Sequence, residues 1–218
     1  MKWLKFCAVF VLMVLAVSLA PSAVQADEPD YSNPAVMRAL LESLSKTKGT
    51  APQAYARLSP RAKEAVLNVV ARSVLVKESS FDIAASEVEP DPKDTDTTAS
   101  WCPSGSTLMR FRNAAIFKDP ITNFEQFRMT QVAKWCFNGA WITKVNKPLK
   151  RISKISLIGW QFDGYFGDFQ AGGVREWTYE DFFQGKYPFC IGGCILEQNP
   201  WLEVELRGDG TSFRDGGF

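Results

Sequence analysis

Histidine does not occur anywhere in this chain, and no other absence narrows its chemistry as much. Without an imidazole there is no Ser-His-Asp or Cys-His nucleophile system, no histidine-ligated zinc and no imidazole proton shuttle. Cysteine is scarce at five residues, and no two of them show the Cys-x-x-Cys spacing of a thiolate metal site. Neither a phosphate-binding loop nor a dinucleotide fingerprint is present, so no cofactor and no metal is expected. A dominant charge is missing too: 25 basic and 24 acidic side chains leave a formal charge of +1, no strong field for nucleic acid or an anionic membrane. Long apolar runs are limited to one, at the start.

That run has the pattern of an export signal. Lys2 and Lys5 precede an apolar stretch from Phe6 to Ala20, too short for a comfortable membrane span. Val24-Gln25-Ala26 then supplies small residues where a signal peptidase reads, followed by Asp27-Glu28. Cleavage after Ala26 is expected, leaving a secreted chain with no membrane span. Cys7 would leave with the leader, since the Leu-small-Gly-Cys context of a lipoprotein is lacking.

The mature chain keeps Cys102, Cys136, Cys190 and Cys194, an even count that in an exported protein reads as disulfides. Three pairings are open. Cys102 with Cys136 and Cys190 with Cys194 is expected over a crossed pairing such as Cys136 with Cys190. A hairpin between the first two would return one near the other, and Ile191-Gly192-Gly193 forms a tight turn between the second two. The longer loop would contribute about 4 kcal/mol and the shorter about 2 kcal/mol.

An apolar fraction of 46% supports a packed core. The prolines and aspartates of the acidic stretch 87–100 discourage helix and strand, and divide a helical segment (27–86) from a downstream domain (101–218). Asn33-Pro34 predicts one helix start, with Val36, Met37, Leu40, Leu41 and Leu44 at helical spacing. After a break from Lys46 to Pro52, Ser59-Pro60 predicts a second helix, with Ala62, Ala65, Val66, Val69, Val70 and Leu75 along one side. Two such helices cannot hide their apolar faces on each other, so they should dock on the downstream domain or on a partner.

Beyond Trp101 the period becomes two. Phe127, Met129, Gln131, Ala133 and Trp135 alternate with Arg128, Thr130, Val132 and Lys134, predicting a strand with one buried face. Asn138-Gly139 turns it into Trp141 to Val145. Further strands are predicted at Leu108 to Phe117, Ser156 to Phe162 and Trp201 to Arg207. Short strands with no helical pattern between them predict a mainly β fold, an antiparallel β-sandwich with disulfides preceded by a short two-helix segment.

The order Trp135-Cys136-Phe137-Asn138-Gly139, Gly159-Trp160, Phe189-Cys190 to Cys194, and Pro200-Trp201 to Arg207-Gly208-Asp209-Gly210 resembles a group of small exported β-sandwich proteins from Gram-positive bacteria, chiefly actinobacteria. The resemblance covers about residues 101–218 and implies fold and export; it implies no catalytic residue.

Candidate chemistry therefore rests on the residues themselves. Trp177, Tyr179, Glu180 and Asp181 lie in an aromatic and acidic cluster that would line a sugar or peptide groove, although packing against the helical segment accounts for the same aromatics. Lys147, Lys150 and Arg151, within a basic run from Lys144 to Lys154, would meet an anionic envelope polymer; the plainer account is a solvated loop. Glu203 and Glu205 would stand about 7 Å apart on one strand face, a spacing open to carboxylate catalysis and equally to an ordinary wet surface. Asp163 to Asp168 has the aspartates and glycines of a calcium loop without its ligand order, and a simple turn is expected there. Arg207-Gly208-Asp209 is first of all a hairpin turn. The expected role is a non-enzymatic exported module that binds a cell-envelope polymer or a protein partner. The alternatives are a carboxylate-only glycan hydrolase and an assembly protein that docks through its helices. Oligomeric state is not legible in the sequence.

Overall fold

Asn33 and Ser59 start the helices that the proline spacing predicts. The computed structural model describes residues 28–47, 51–81, 101–147, 149–157, 159–191 and 193–218. Tyr31–Phe218 form one compact unit, and Met1–Asp30 another, of which 28–30 are described. The expected signal peptide (1–26) and acidic linker (87–100) lie outside the described residues.

In α1 (Pro34–Ser45) the Asn33 side chain accepts the Ala35 N–H at 2.9 Å, and in α3 (Pro60–Arg72) the Ser59 hydroxyl accepts the Ala62 N–H at 3.1 Å. Each proline occupies a first-turn position where no N–H is needed. Two expectations are corrected here. A short helix, α2 (Ala51–Ala56), starts at the end of the break expected from Lys46 to Pro52 and runs past it, so the described residues hold three helices, not a pair. Leu75 is not on a helix face but on a strand, β1 (Val74–Phe81), because Ser73 turns extended and the β-branched Val74 and Val76 favour the sheet.

The strand order places β1 first in a five-stranded antiparallel sheet with β2 (Thr107–Lys118), β3 (Glu125–Phe137) and β4 (Ile142–Val145); β5 (Lys150–Ile155) pairs with the other half of β3. A four-stranded antiparallel sheet runs β11 (Ser212–Gly217), β10 (Trp201–Arg207), β7 (Thr178–Gly185), β6 (Tyr165–Gly172). β8 (Tyr187–Cys190) and β9 (Cys194–Gln198) form a two-stranded sheet. The protein is thus mainly β, built of antiparallel sheets. Ser156 to Phe162, predicted as a strand, is not one. Its Trp160 makes a single bridge to Phe189, and its ring is held edge-on to Phe117 and Phe127 with Nε1–H donating to Gln126 at 2.8 Å. Both faces of β3 are buried rather than one, since Thr130, Val132 and Lys134 are covered as well, Lys134 by the ring of Trp101.

Register explains how the interior divides. Asn113, Gln131 and Arg151 stand side by side across β2, β3 and β5. On one side of this polar row Ala115, Phe117, Phe127 and Met129 join Phe183, Leu202 and the helix residues Met37, Leu41, Val66 and Val69 in one apolar cluster. On the other, Phe111, Ala133, Trp135, Ile142, Tyr179, Val204 and Leu206 form a second. The helices therefore dock on the sheets, and β1, from the segment read as helical, hydrogen-bonds with β2 over its whole length. The boundary expected between 27–86 and 101–218 does not separate two bodies: both contribute to the unit Tyr31–Phe218.

Disulfides join Cys102 to Cys136 and Cys190 to Cys194, the expected pairing.

Asp119 ties α3 to the β2–β3 turn. Its buried carboxylate accepts from Arg72 Nε at 2.6 Å and Nη2 at 3.1 Å, and from Thr122 N at 2.9 Å and Oγ1 at 2.5 Å. Burial alone would raise the Asp119 carboxyl; the Arg72 and Thr122 bonds outweigh it and hold it below the usual range. A depressed carboxyl contributes stability above its unfolded value near 4 and loses it as pH falls through the folded value. Asp119→Asn is accordingly expected to flatten the acid limb of the stability curve below about pH 4, measured by urea unfolding from pH 2 to 7. An acid limb unchanged from wild type would contradict this.

Candidate functional site

Strand β10 alternates Leu202, Val204 and Leu206, all buried, with Trp201, Glu203 and Glu205, which point to the other face of the four-stranded sheet. Its register with the neighbouring strands builds that outer face in rows. Phe166, Gln184 and Trp201 stand in line, followed by Phe169, Phe182, Glu203 and Asp215, and then by Ala171, Glu180, Glu205 and Phe213. The rings of Phe182 and Trp201 lie 5.8 Å apart. Phe166, Phe169 and Phe213 are 41%, 53% and 51% exposed, a group of large apolar side chains that ordinary surfaces bury or scatter. Carboxylates interleave with them. Glu205 is paired with Arg207 at 2.5 Å and Asp215 with Lys77, while Glu180 and Glu203 have no ion-pair partner among the described residues.

A bulge shapes one edge of this face. Between Phe166 and Phe169 the register of β6 against β7 slips by one residue, where Gly167 takes φ +60°. The slip keeps both phenylalanines on the outer face and leaves Asp168 free to bond Arg151 of the other sheet at 2.6 Å.

The residues singled out in the sequence divide between surface and interior. Glu180 belongs to the outer face. Trp177 is exposed in the β6–β7 turn, beyond the end of that face. Tyr179 and Asp181 are fully buried, because their parity on β7 turns them inward with Phe183. Of the basic run only Lys147 lies in a loop: Lys144 is on β4, Lys150 and Arg151 lie on β5, and Arg151 reaches inward to bond Asp181 at 3.0 Å. Lys147 donates to the Gly172 carbonyl at 2.6 Å and sits over the Tyr179 ring, while Lys144 donates to the Trp101 carbonyl and caps that ring. The structure thus joins the acidic cluster and the basic run at the Arg151–Asp181 ion pair and where Lys147 covers the Tyr179 ring, while Glu180 and Trp177 stay at the surface.

Around Asp181 this becomes a polar seam between sheets. Gln131 Nε2 donates to its carboxylate at 2.6 Å, and Arg151 holds both Asp181 and Asp168. Burial pushes the Asp181 carboxyl above its usual range against the pull of Arg151 and Gln131, and raises the Tyr179 phenol, helped by the Asp181 charge. The bond from Arg151 holds half-exposed Asp168 below the usual carboxylate range. Asp163, the other end of the suspected calcium loop, pairs with Lys186 at 3.2 Å. No cluster of metal-ligating side chains occurs among the described residues.

Away from the sheets, Tyr31, Met37, Arg61, Glu64, Asn68 and Arg72 line a cleft of about 320 Å3 beside α1 and α3. Its Arg72 is already committed to Asp119.

Sequence pattern alone does not group Phe166, Phe169, Phe182, Trp201 and Phe213. The one local signal lies in β7, where Glu180, Phe182 and Gln184 alternate with Tyr179, Asp181 and Phe183. Comparison with known proteins returned no match, whether to a family model, a curated protein or a solved structure. No described helix is long and apolar enough to cross a membrane.

Proposed function

We propose that this protein is an exported, non-enzymatic binding module whose aromatic and acidic sheet face takes a sugar polymer of the cell envelope. One observation carries the reading: exposed phenylalanines, with the Phe182–Trp201 pair among them, share one sheet face with carboxylates. Sugar rings offer apolar C–H faces for stacking on such a platform, and their hydroxyl or ammonium groups donate to carboxylates such as Glu180 and Glu203. Export is supported by the leader-like start of the sequence and by two disulfides. The two larger sheets, joined through Arg151, Asp181 and Asn113, serve on this reading as the layers of a β-sandwich, as the resemblance of residues 101–218 to exported Gram-positive proteins implies.

The test is retention on purified Gram-positive cell-wall polysaccharide against bare resin. Trp201→Ala combined with Phe182→Ala is expected to cost about 2 kcal/mol of binding, roughly 30-fold in Kd, with Tm measured alongside to confirm folding. Wild-type retention equal to bare resin overturns the proposal. Release of soluble sugar from the polymer would replace it with hydrolysis by Glu180, Glu203 and Glu205.

A further inference from the structure

Three turns meet at one end of the two larger sheets: 138–141 after β3, 173–177 after β6 and 208–211 after β10. Backbone hydrogen bonds knit them together. Gly139 N–H donates to the Gly208 carbonyl at 2.9 Å, Gly208 N–H to the Trp177 carbonyl at 2.7 Å, Ile142 N–H to the Glu176 carbonyl at 2.9 Å, and Arg175 N–H to the Ile142 carbonyl at 2.8 Å. Gly208 is buried flush against the Trp141 backbone, where any side chain would collide, so this close approach requires glycine. Arg175 takes φ +68°, a left-handed conformation that costs a non-glycine residue energy and that the surrounding bonds impose.

On this rigid mount the chain displays apolar bulk. Trp141, Val174 and Trp177 are 46%, 49% and 47% exposed, each on one of two turns that are bonded to each other or to Gly208. The exposure is a fixed feature of pinned backbone, not of a loose loop. The charges around it are unequal in availability. Asp209 is drawn into its own turn by Thr211 N and Oγ1, Glu176 leans back over Gly172, and Lys147 is held by the Gly172 carbonyl. The Arg175 guanidinium has no side-chain partner among the described residues.

We infer that this end of the protein is a lipid-contact tip, in which Trp141, Val174 and Trp177 enter the interfacial layer of a bilayer and Arg175 meets a headgroup phosphate. Indole rings favour the boundary between headgroups and acyl chains, where the ring body is apolar and the N–H stays wet. An aliphatic Val174 on the turn that carries Trp177 suits acyl chains, and the group lies on turns at the end of the sheets, apart from the rows of the sheet face. The free cation complements anionic phosphate. The tip and the sheet face use different residues, so the two readings stand or fall separately.

The test is flotation of the mature protein with vesicles of equal parts phosphatidylglycerol and phosphatidylcholine, with quenching of tryptophan emission by brominated acyl chains. Wild type is expected to float and to be quenched. Trp141→Ala with Trp177→Ala should lower partitioning at least tenfold and remove the quenching while leaving the thermal midpoint and polysaccharide retention as in wild type. Trp201→Ala with Phe182→Ala should partition normally. Absence of wild-type flotation at millimolar lipid overturns the inference, as does equal partitioning of the Trp141/Trp177 variant. Should that variant unfold, Arg175→Glu supplies the same test, with weakened partitioning expected and unchanged partitioning counting against the tip.

Discussion

Asp181→Ala is expected to destabilise the protein by about 3 kcal/mol, lowering Tm by roughly 10 °C. The carboxylate is fully buried and shared by Arg151 at 3.0 Å and Gln131 at 2.6 Å, and Arg151 itself is 11% exposed. Deleting the acid leaves a guanidinium in the interior short of one acceptor and the Gln131 amide without its closest one, the costly way to break a buried pair. The loss stays at the low end of the usual range because Asp168 continues to hold Arg151. Asp181→Asn should cost much less. Burial already raises the Asp181 carboxyl, so its ionised form is disfavoured by folding, and an amide keeps an oxygen for Gln131. The sign follows from linkage: a raised carboxyl contributes stability below its unfolded value and loses it as pH rises through the folded value. The asparagine variant should therefore gain on wild type between pH 4 and neutrality. Replacing the pair together, Arg151→Met with Asp181→Leu, should recover most of the alanine deficit. Urea unfolding of the variants at pH 4 and pH 7 measures all of this; equal losses for the alanine and asparagine variants would show that the seam is not what holds the sheets together.

Loss of the Cys102–Cys136 bridge carries the other large effect. The bond closes a loop with a sequence separation of 34 and encloses the β2–β3 hairpin, so on the chain-entropy model removing it costs about 4 kcal/mol. Cys136 is fully buried on the longest strand, and Trp101, next to Cys102, is clasped between Lys134 and Lys144. Cys102→Ala with Cys136→Ala is therefore expected to lower Tm by roughly 10 °C or more. The Cys190–Cys194 bridge spans a separation of only 4, and its removal should cost about half as much. Calorimetry of the two double variants gives the order directly. A larger loss at Cys190–Cys194 would mean that strain or packing, not loop closure, sets the value of these bonds.

Residues whose neighbours in sequence are also their neighbours in space are legible from the chain alone. Asn33-Pro34 and Ser59-Pro60 announce helix starts through local capping, and Leu202, Val204 and Leu206 announce β10 through unbroken alternation. Strands that bury a charge are not legible in this way. Asp181 interrupts the apolar face of β7, and Arg151 lies among the lysines of β5, so each resembles part of a surface cluster, and only pairing across 30 residues reveals that they neutralise one another. Gly167 hides β6 by inserting a bulge into its alternation. β1 is hidden because only Ser73 separates it from α3, leaving no turn signal between two periodicities. The aromatic face escapes for a related reason: Phe169, Phe182 and Phe213 come from three strands, and only register brings them together.

The attachment of β1 has a consequence for how the polypeptide tolerates scission. Residues 82–100 follow directly on a strand whose eight residues are laddered to β2, and neither of the two disulfides described above spans that segment. Helices upstream of it share an apolar cluster with Phe117, Phe127 and Trp160 downstream. A protease that nicked the chain anywhere in that stretch would produce two fragments gripping one another by sheet, core and ion pairs such as Arg72–Asp119, with no covalent bridge, a complementing pair rather than a released pro-piece.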